Sequence, residues 1–143
     1  MDKSNAIKSN LIFKGYVVDE VFFKINEEFD DSNPVKIEFD IDDSTEFDNE
    51  TSQMSIELKL EVFKEMKKNN YPFSINVTLT GLFKTNGDNI EVFRPNAIAI
   101  LYPYLRSIVS TYTANSNVST LILPPINVVK YIESKKNKSK EQT

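Results

Sequence analysis

The feature that most constrains the fold of this chain is a strict alternation of apolar and polar residues in three separate segments. Residues 35–42 read VKIEFDID, residues 54–62 read MSIELKLEV, and residues 73–80 read FSINVTLT. Successive side chains of a strand point to opposite faces of a sheet, so this two-residue period predicts strands with one buried face. A less regular alternation over residues 11–25 adds a further strand before them.

The predicted first strand carries apolar residues on both of its faces. The alternation places Leu11, Phe13, Val17, Val21 and Phe23 on one face and Ile12, Tyr16, Val18 and Phe22 on the other. The third and fourth predicted strands are joined by a polar segment that includes Lys67–Asn70, which predicts a hairpin. The acidic residues from Asp40 to Glu50 are predicted to form a surface loop.

A long helix is predicted after the turn signal Thr85–Asp88, because the apolar period changes there to three and four residues. The positions that share this helical face are Ala97, Ile98, Leu101, Tyr102, Leu105, Ile108, Val109 and Tyr112. Pro95 fits the first turn of such a helix, where the N–H that proline lacks is not needed. Pro103 lies inside the helix and predicts a kink.

The last part of the chain is predicted to be an extended apolar arm followed by a short helix. Leu121–Pro125 reads LILPP, and Asn127 is a suitable cap for a helix that begins at Val128. Consecutive strands followed by helices predict an α+β fold, with a four-stranded antiparallel sheet and the helices on one side. Residues 1–133 are predicted to form one domain, and residues 134–143 a flexible Lys-rich tail.

The composition excludes several classes of active site. The chain contains no cysteine and no histidine, so it lacks the groups for a Ser-His-Asp or Cys-His catalytic unit and for a zinc site with His or Cys ligands. The carboxylates of the acidic stretch lack the glycine and the spacing of a calcium-binding loop. We therefore expect no enzymatic activity, no metal and no cofactor.

Charge and hydropathy limit the partners and the location. The net charge of -4 argues against nucleic acid as a partner, because a phosphate backbone attracts concentrated positive charge. The first ten residues lack the apolar core of a signal peptide, and no segment approaches the roughly 18 apolar residues that a membrane span requires. The sequence predicts a cytoplasmic protein without membrane insertion.

Two short motifs resemble the signature pair of the SecB family of export chaperones. Ile100–Arg106 reads ILYPYLR and Leu121–Asn127 reads LILPPIN, where the family reads like I-L-[FY]-P-Y-x-R and L-x-L-x-P-[VI]-N. The resemblance extends more weakly from about Phe13 to Tyr131, and residues 35–40 look like the second strand of the family. It implies a chaperone that binds unfolded or precursor polypeptides without ATP and assembles as a dimer of dimers.

The resemblance also implies particular roles for residues of this chain. Clients of the family bind in apolar grooves, and the matching positions are Phe29, Val35, Ile37, Phe39, Leu121, Leu123, Ile126 and Tyr131. The helices of the family meet at the central subunit interface, for which the candidates are Tyr102, Tyr104 and Arg106. Family members dock on the SecA motor through three outer carboxylates, of which only Asp19 matches, the other two positions being Phe23 and Asn76.

Two alternatives remain open on the sequence. The first is a SecB-like chaperone dedicated to one partner, such as an antitoxin, which the departures at Phe23 and Asn76 favour. The second is a small α+β enzyme or a protein that binds an apolar ligand. Enzymatic chemistry would require a placed carboxylate in a closed pocket, and the sequence offers no distinctive one.

Overall fold

The computed structural model describes residues 11–86 and 90–141. The described elements are strands β1 (Leu11–Ile25), β2 (Phe39–Asp48), β3 (Gln53–Val62) and β4 (Phe73–Thr85), and helices α1 (Ile90–Ala114) and α2 (Val128–Glu141). The strands form one antiparallel sheet in the order β1-β4-β3-β2. This architecture confirms the predicted α+β fold and the predicted hairpin of β3 and β4.

One face of the sheet packs against α1 and forms the core. The even positions of β3 and the odd positions of β4 are buried, as their alternation predicts. From α1, the buried apolar residues are Ala97, Ile98, Leu101, Tyr102, Leu105 and Val109. Gly81 permits the helix to approach β4 closely, because a Cβ atom at this position would lie 2.5 Å from a methyl carbon of Leu101.

The residues on each face of β1 differ from those predicted, because the strand is irregular. Its pairing with β4 shifts register once after Phe13 and once after Val18. Each shift inserts an extra residue, which moves the side chains that follow to the other face. Tyr16 therefore lies on the helix side, where it stacks on Tyr104 with 4.1 Å between the ring centroids. Val17 points away from the helices and is 63% exposed, so its predicted grouping with Phe13 was wrong.

The acidic segment is a strand and not a loop. β2 begins at Phe39 and pairs with β3 in unbroken register as far as Asp48. Its acidic residues at even positions face away from the core, which suits an edge strand because charged side chains discourage pairing with other chains. Residues 35–38, which were predicted to belong to this strand, precede it without regular structure.

Helix α1 starts earlier than the sequence indicates. Because it begins at Ile90, Pro95 is its sixth residue and does not lie in the first turn, whereas Pro103 lies inside the helix as predicted. Residues 87 and 88 of the predicted turn lie outside the described residues. No helix of the described chain combines the length and apolar character that crossing a membrane requires.

Helix α2 begins where the sequence predicts and continues further. The Asn127 side chain accepts a hydrogen bond from the Lys130 N–H at 3.0 Å, which confirms the predicted cap. The helix extends to Glu141 and so includes most of the segment that was assigned to the tail. The division into a domain and a flexible tail stays a prediction.

The contact between Gly81 and Leu101 leads to a test of the packing. We predict that Gly81→Ala lowers the free energy of unfolding by about 1–3 kcal/mol, because the added methyl group forces the Leu101 side chain to move. Urea denaturation measures this change. Thr78→Ala, on the opposite face of the same strand, is the control, and a Gly81→Ala variant as stable as the wild type would contradict the close approach.

Candidate functional site

An apolar groove of about 690 Å³ opens at one end of the sheet. Three segments without regular structure surround it. These are the crossover (residues 26–38, between β1 and β2), the β3–β4 loop (residues 63–72) and residues 117–120, which precede the arm Leu121–Pro125. The apolar residues that line it are Ile25, Phe29, Val35, Ile37, Phe63, Pro72, Phe73, Val118 and Leu121.

Aromatic side chains form the floor of the groove. The Phe63 ring stacks on Tyr71 with the centroids 4.6 Å apart and meets Phe73 edge-on at 5.1 Å. The backbone of Phe63 has a φ of 59°, a left-handed conformation that is unfavourable for a bulky residue by about 1–3 kcal/mol. Its N–H donates to the Glu38 carbonyl at 3.0 Å, which connects the floor to the end of the crossover.

Four of the residues implied by the family resemblance come together in this groove. They are Phe29, Val35 and Ile37 from the crossover and Leu121 from the arm. Val35 is 36% exposed and Ile37 is 45% exposed, so both present apolar surface to solvent. Eighty-four residues separate Ile37 from Leu121 in the sequence, and the fold brings them to one site.

The other four predicted binding residues lie elsewhere. Phe39 lines a neighbouring, more polar depression that it shares with Ile37. Leu123 is completely buried in the core, so it supports the arm from below. Ile126 and Tyr131 are partly buried and pack against the core. A binding role for all eight residues stays a prediction.

Several residues of the groove were not among the predicted site. Phe63 and Phe73 form the floor, and Ile25 and Val118 line the walls. One signal for Phe63 was present, since the apolar pair Val62-Phe63 interrupts the alternation of β3. Such an interruption marks the point where the strand ends and the next side chain turns to another surface.

Side chains on one face of α1 hold the backbone of the arm. Arg106 Nε donates to the Leu123 carbonyl at 2.9 Å, and Ser110 Oγ donates to the Leu121 carbonyl at 3.1 Å. Tyr102 Oη donates to the Pro124 carbonyl at 2.5 Å, and Thr113 Oγ1 accepts a hydrogen bond from the Leu121 N–H at 2.9 Å. The four donors and acceptors are spaced by four, four and three residues, which places them along one stripe of the helix.

The predicted interface residues make their described contacts within the chain. Tyr102 and Arg106 bind the arm, and Tyr104 stacks on Tyr16. Their assignment to a subunit interface stays a prediction. Of the three docking positions, Asp19 accepts a hydrogen bond from the Thr80 hydroxyl at 2.6 Å, while the Phe23 ring lies 5.6 Å from that of Phe73.

A charged cluster attaches both helices to β2. Asp43, whose side chain is 3% exposed, accepts two hydrogen bonds from Arg94 at 2.8 Å and one from the Tyr131 hydroxyl at 2.6 Å. Burial alone would raise the pKa of Asp43, but the hydrogen bonds from Arg94 and Tyr131 outweigh it and lower the pKa below its ordinary value. Burial and the bond to Asp43 raise the pKa of Tyr131. The cluster thus holds an ionised Asp43 between α1 and α2.

Comparison with known proteins agrees with this geometry. The family model described as preprotein translocase subunit SecB matches residues 8–139. The chain belongs to the SecB family. The same fold occurs in a SecB-like chaperone of Mycobacterium tuberculosis that was solved with a peptide from an antitoxin. The two structures match with a TM-score of 0.66 and 12% sequence identity, and the match covers 82% of this chain and 91% of that chain.

The chain is also similar in sequence to a protein of Methanocaldococcus jannaschii. An uncharacterized protein of Methanocaldococcus jannaschii is 31% identical over 126 residues, which cover 85% of this chain and 81% of that protein. Nearly all of the fold described above, from β1 to α2, lies within the residues that the SecB model matches.

The cluster around Asp43 generates a stability prediction. Asp43→Asn removes the buried charged partner of Arg94 and leaves only the longer pairing with the exposed Glu91 at 3.8 Å, and we expect a loss of about 3 kcal/mol at pH 7. Because the folded-state pKa of Asp43 is lowered, its contribution is present above the unfolded-state pKa of about 3.9 and is lost as the pH falls through the lower folded value.

Urea denaturation at pH 7, 5 and 3 measures both effects. The wild type should lose more stability than Asp43→Asn below about pH 4. The control is Asp42→Asn, since the Asp42 side chain is 71% exposed and its pairing with Lys135 at 3.5 Å contributes little. Equal stability losses for the two variants at pH 7 would contradict the role of the Asp43 cluster.

Proposed function

We propose that the protein is an ATP-independent chaperone that binds non-native polypeptides in the apolar groove. The observation that supports this proposal is the exposed apolar surface of the crossover, where Val35 and Ile37 are 36% and 45% exposed beside a floor of buried aromatic rings. An unfolded chain presents apolar side chains that are buried when it folds. A groove of about 690 Å³ has room for a few such side chains.

The rim of the groove suits a polypeptide backbone. Asn33, Asn117, Ser119 and Thr120 supply uncharged donors and acceptors around the apolar floor. Backbone amides and carbonyls of an extended client have the same chemistry in every sequence, so such a rim binds without selecting side chains. Burial of roughly 200 Å² of apolar surface contributes about 5 kcal/mol before the cost of ordering the client.

The groove favours binding over catalysis. Glu27 is the one ionisable side chain among the described residues that line it. General acid and base catalysis requires a positioned group within hydrogen-bond reach of a reacting atom, commonly paired with a second group. Holding a polypeptide requires neither, and we propose that the protein acts without covalent chemistry and without a cofactor.

We further propose that the protein works in the cytoplasm as a homo-oligomer, a dimer of dimers, and that its clients include precursors for export. Strand β1 lies at the edge of the sheet and exposes Ile12, Val17 and Phe22 by 54%, 63% and 49%. An exposed apolar edge strand is a common site of subunit contact. Several grooves on one assembly would bind one long client more tightly than a single groove.

A dedicated partner is the second candidate function. Phe23 occupies one of the positions that were expected to carry a carboxylate for SecA docking. Its ring packs against the rings of Phe73 and Tyr112. The SecB-like chaperone of M. tuberculosis was solved with a peptide from an antitoxin. Both observations favour a chaperone that serves one partner, such as an antitoxin, with SecA playing no part.

The client spectrum separates the two candidates. Tagged protein isolated from its own cells should carry many precursor polypeptides if it is a general chaperone, and mainly one polypeptide if it is dedicated. Quantitative mass spectrometry of the bound material makes this distinction. A titration with SecA provides a second measure, since the general export role predicts a complex and the dedicated role predicts none.

A charged substitution in the wall of the groove tests its role in client binding. We predict that Ile37→Asp weakens suppression of client aggregation about tenfold or more, because binding would bury an unpaired carboxylate. The assay follows light scattering of a reduced, unfolding client without ATP. The matched control is Ile122→Asp, since Ile122 is 66% exposed and does not line the groove. Equal losses in both variants would contradict the assignment of the site.

A further inference from the structure

Two asparagine side chains fasten the crossover to the β3–β4 loop. Asn26 is 4% exposed, and its Nδ2 donates to the Tyr71 carbonyl at 2.9 Å and to the Met66 carbonyl at 3.4 Å. Asn70 accepts a hydrogen bond from the Asp30 N–H at 2.9 Å and donates to the Asp30 carbonyl at 2.9 Å. The asparagines therefore join two segments that lie about forty residues apart in the chain.

The residues between these attachments include Phe29, which lines the groove. Three consecutive amides are bound by the two asparagines. The Glu28 N–H donates to Asn26 Oδ1 at 3.1 Å, the Phe29 N–H donates to the Asn26 carbonyl at 3.2 Å, and the Asp30 N–H donates to Asn70 Oδ1. Phe29 is thus fixed from both sides, although its segment has no regular secondary structure.

The position of Asn70 indicates a role other than core stability. Its side chain is only partly buried, and its backbone φ of 53° lies in the left-handed region, which asparagine tolerates better than most residues. Neither segment that it joins lies inside the sheet or a helix. A hydrogen-bonded pair at this place orders the crossover more than it stabilises the fold.

We propose that Asn70, together with Asn26, is a positioning residue of the groove, which holds Phe29 in its binding position before a client arrives. This proposal rests on the proposed function of the groove. A segment that is already ordered in the free protein loses little conformational entropy on binding, so the client binds more tightly. Asn70 acts through Phe29 and does not line the groove itself.

The test variant is Asn70→Gly, because glycine accepts a positive φ and removes both hydrogen bonds to Asp30. We expect about fivefold weaker binding of a permanently unfolded, reduced and alkylated client, measured by fluorescence anisotropy. The control is Asn69→Ala, whose side chain bonds within the loop to the Lys64 carbonyl at 3.1 Å and should bind the client as the wild type does.

A double-mutant cycle with Phe29→Ala shows whether Asn70 acts through Phe29. In the Phe29→Ala background, Asn70→Gly should weaken client binding little further, since the residue that it positions is gone. An undiminished fivefold loss in that background would overturn the proposal, as would wild-type affinity for Asn70→Gly alone.

Hydrogen exchange of the free protein tests the same idea without a client. Asn70→Gly should speed exchange of the Asp30 amide and its neighbours in the crossover, whereas Asn69→Ala should not. Unchanged exchange in Asn70→Gly would overturn the proposal. If the exchange result is as expected but the wild type binds no unfolded client, then the proposed function fails while the ordering of the crossover stands.

Discussion

The hydrogen bonds from α1 to the arm are the interaction on which the rest of the structure most depends. The arm pairs with none of the described strands, so its backbone groups need other donors and acceptors. Arg106, Ser110 and Thr113 supply them along one stripe of the helix. Because these bonds fix the backbone, Leu121 and Leu123 both pack in the core, and Leu121 also lines the groove. The two signature motifs of the family are therefore the two halves of one contact.

The groove itself combines a rigid floor with walls that lack regular structure. Phe63 and Phe73 are each 3% exposed and belong to the core, so a client would meet a surface that is already packed. The strained backbone of Phe63 is held by its neighbours, including the bond to the Glu38 carbonyl. The crossover wall is ordered by the side-chain hydrogen bonds of Asn26 and Asn70, which join it to the β3–β4 loop. Such preorganisation favours binding, because less entropy is lost when a client enters.

Much of the fold could be predicted because period and secondary structure are directly linked. The buried faces of β3 and β4 follow from alternation, and the cap at Asn127 follows from its side chain. The start of β2 could not be predicted, since residues 35–38 alternate in the same way whether or not they pair with a neighbour. The acidic residues of β2 suggested a loop, yet an edge strand accepts charge on its open face.

The site was predictable only in part, because contacts between distant parts of the chain decide which residues reach it. The family resemblance indicated Ile37 and Leu121, but nothing in the local sequence shows that Leu123 is wholly enclosed in the core while Leu121, which is 8% exposed, also lines the groove. The register shifts of β1 likewise depend on pairing with β4 and not on local pattern. Asn26 and Asn70 act through contacts about forty residues distant, which a pass along one sequence does not reveal.

Photocrosslinking tests most directly whether non-native polypeptide binds in this groove. A photoreactive phenylalanine analogue at position 29 should form adducts with a reduced, unfolded client in the absence of ATP and none with the same client in its native state. The same analogue at position 122, which is exposed outside the groove, should form few. Adducts of equal yield from both positions, or none from position 29, would contradict the account.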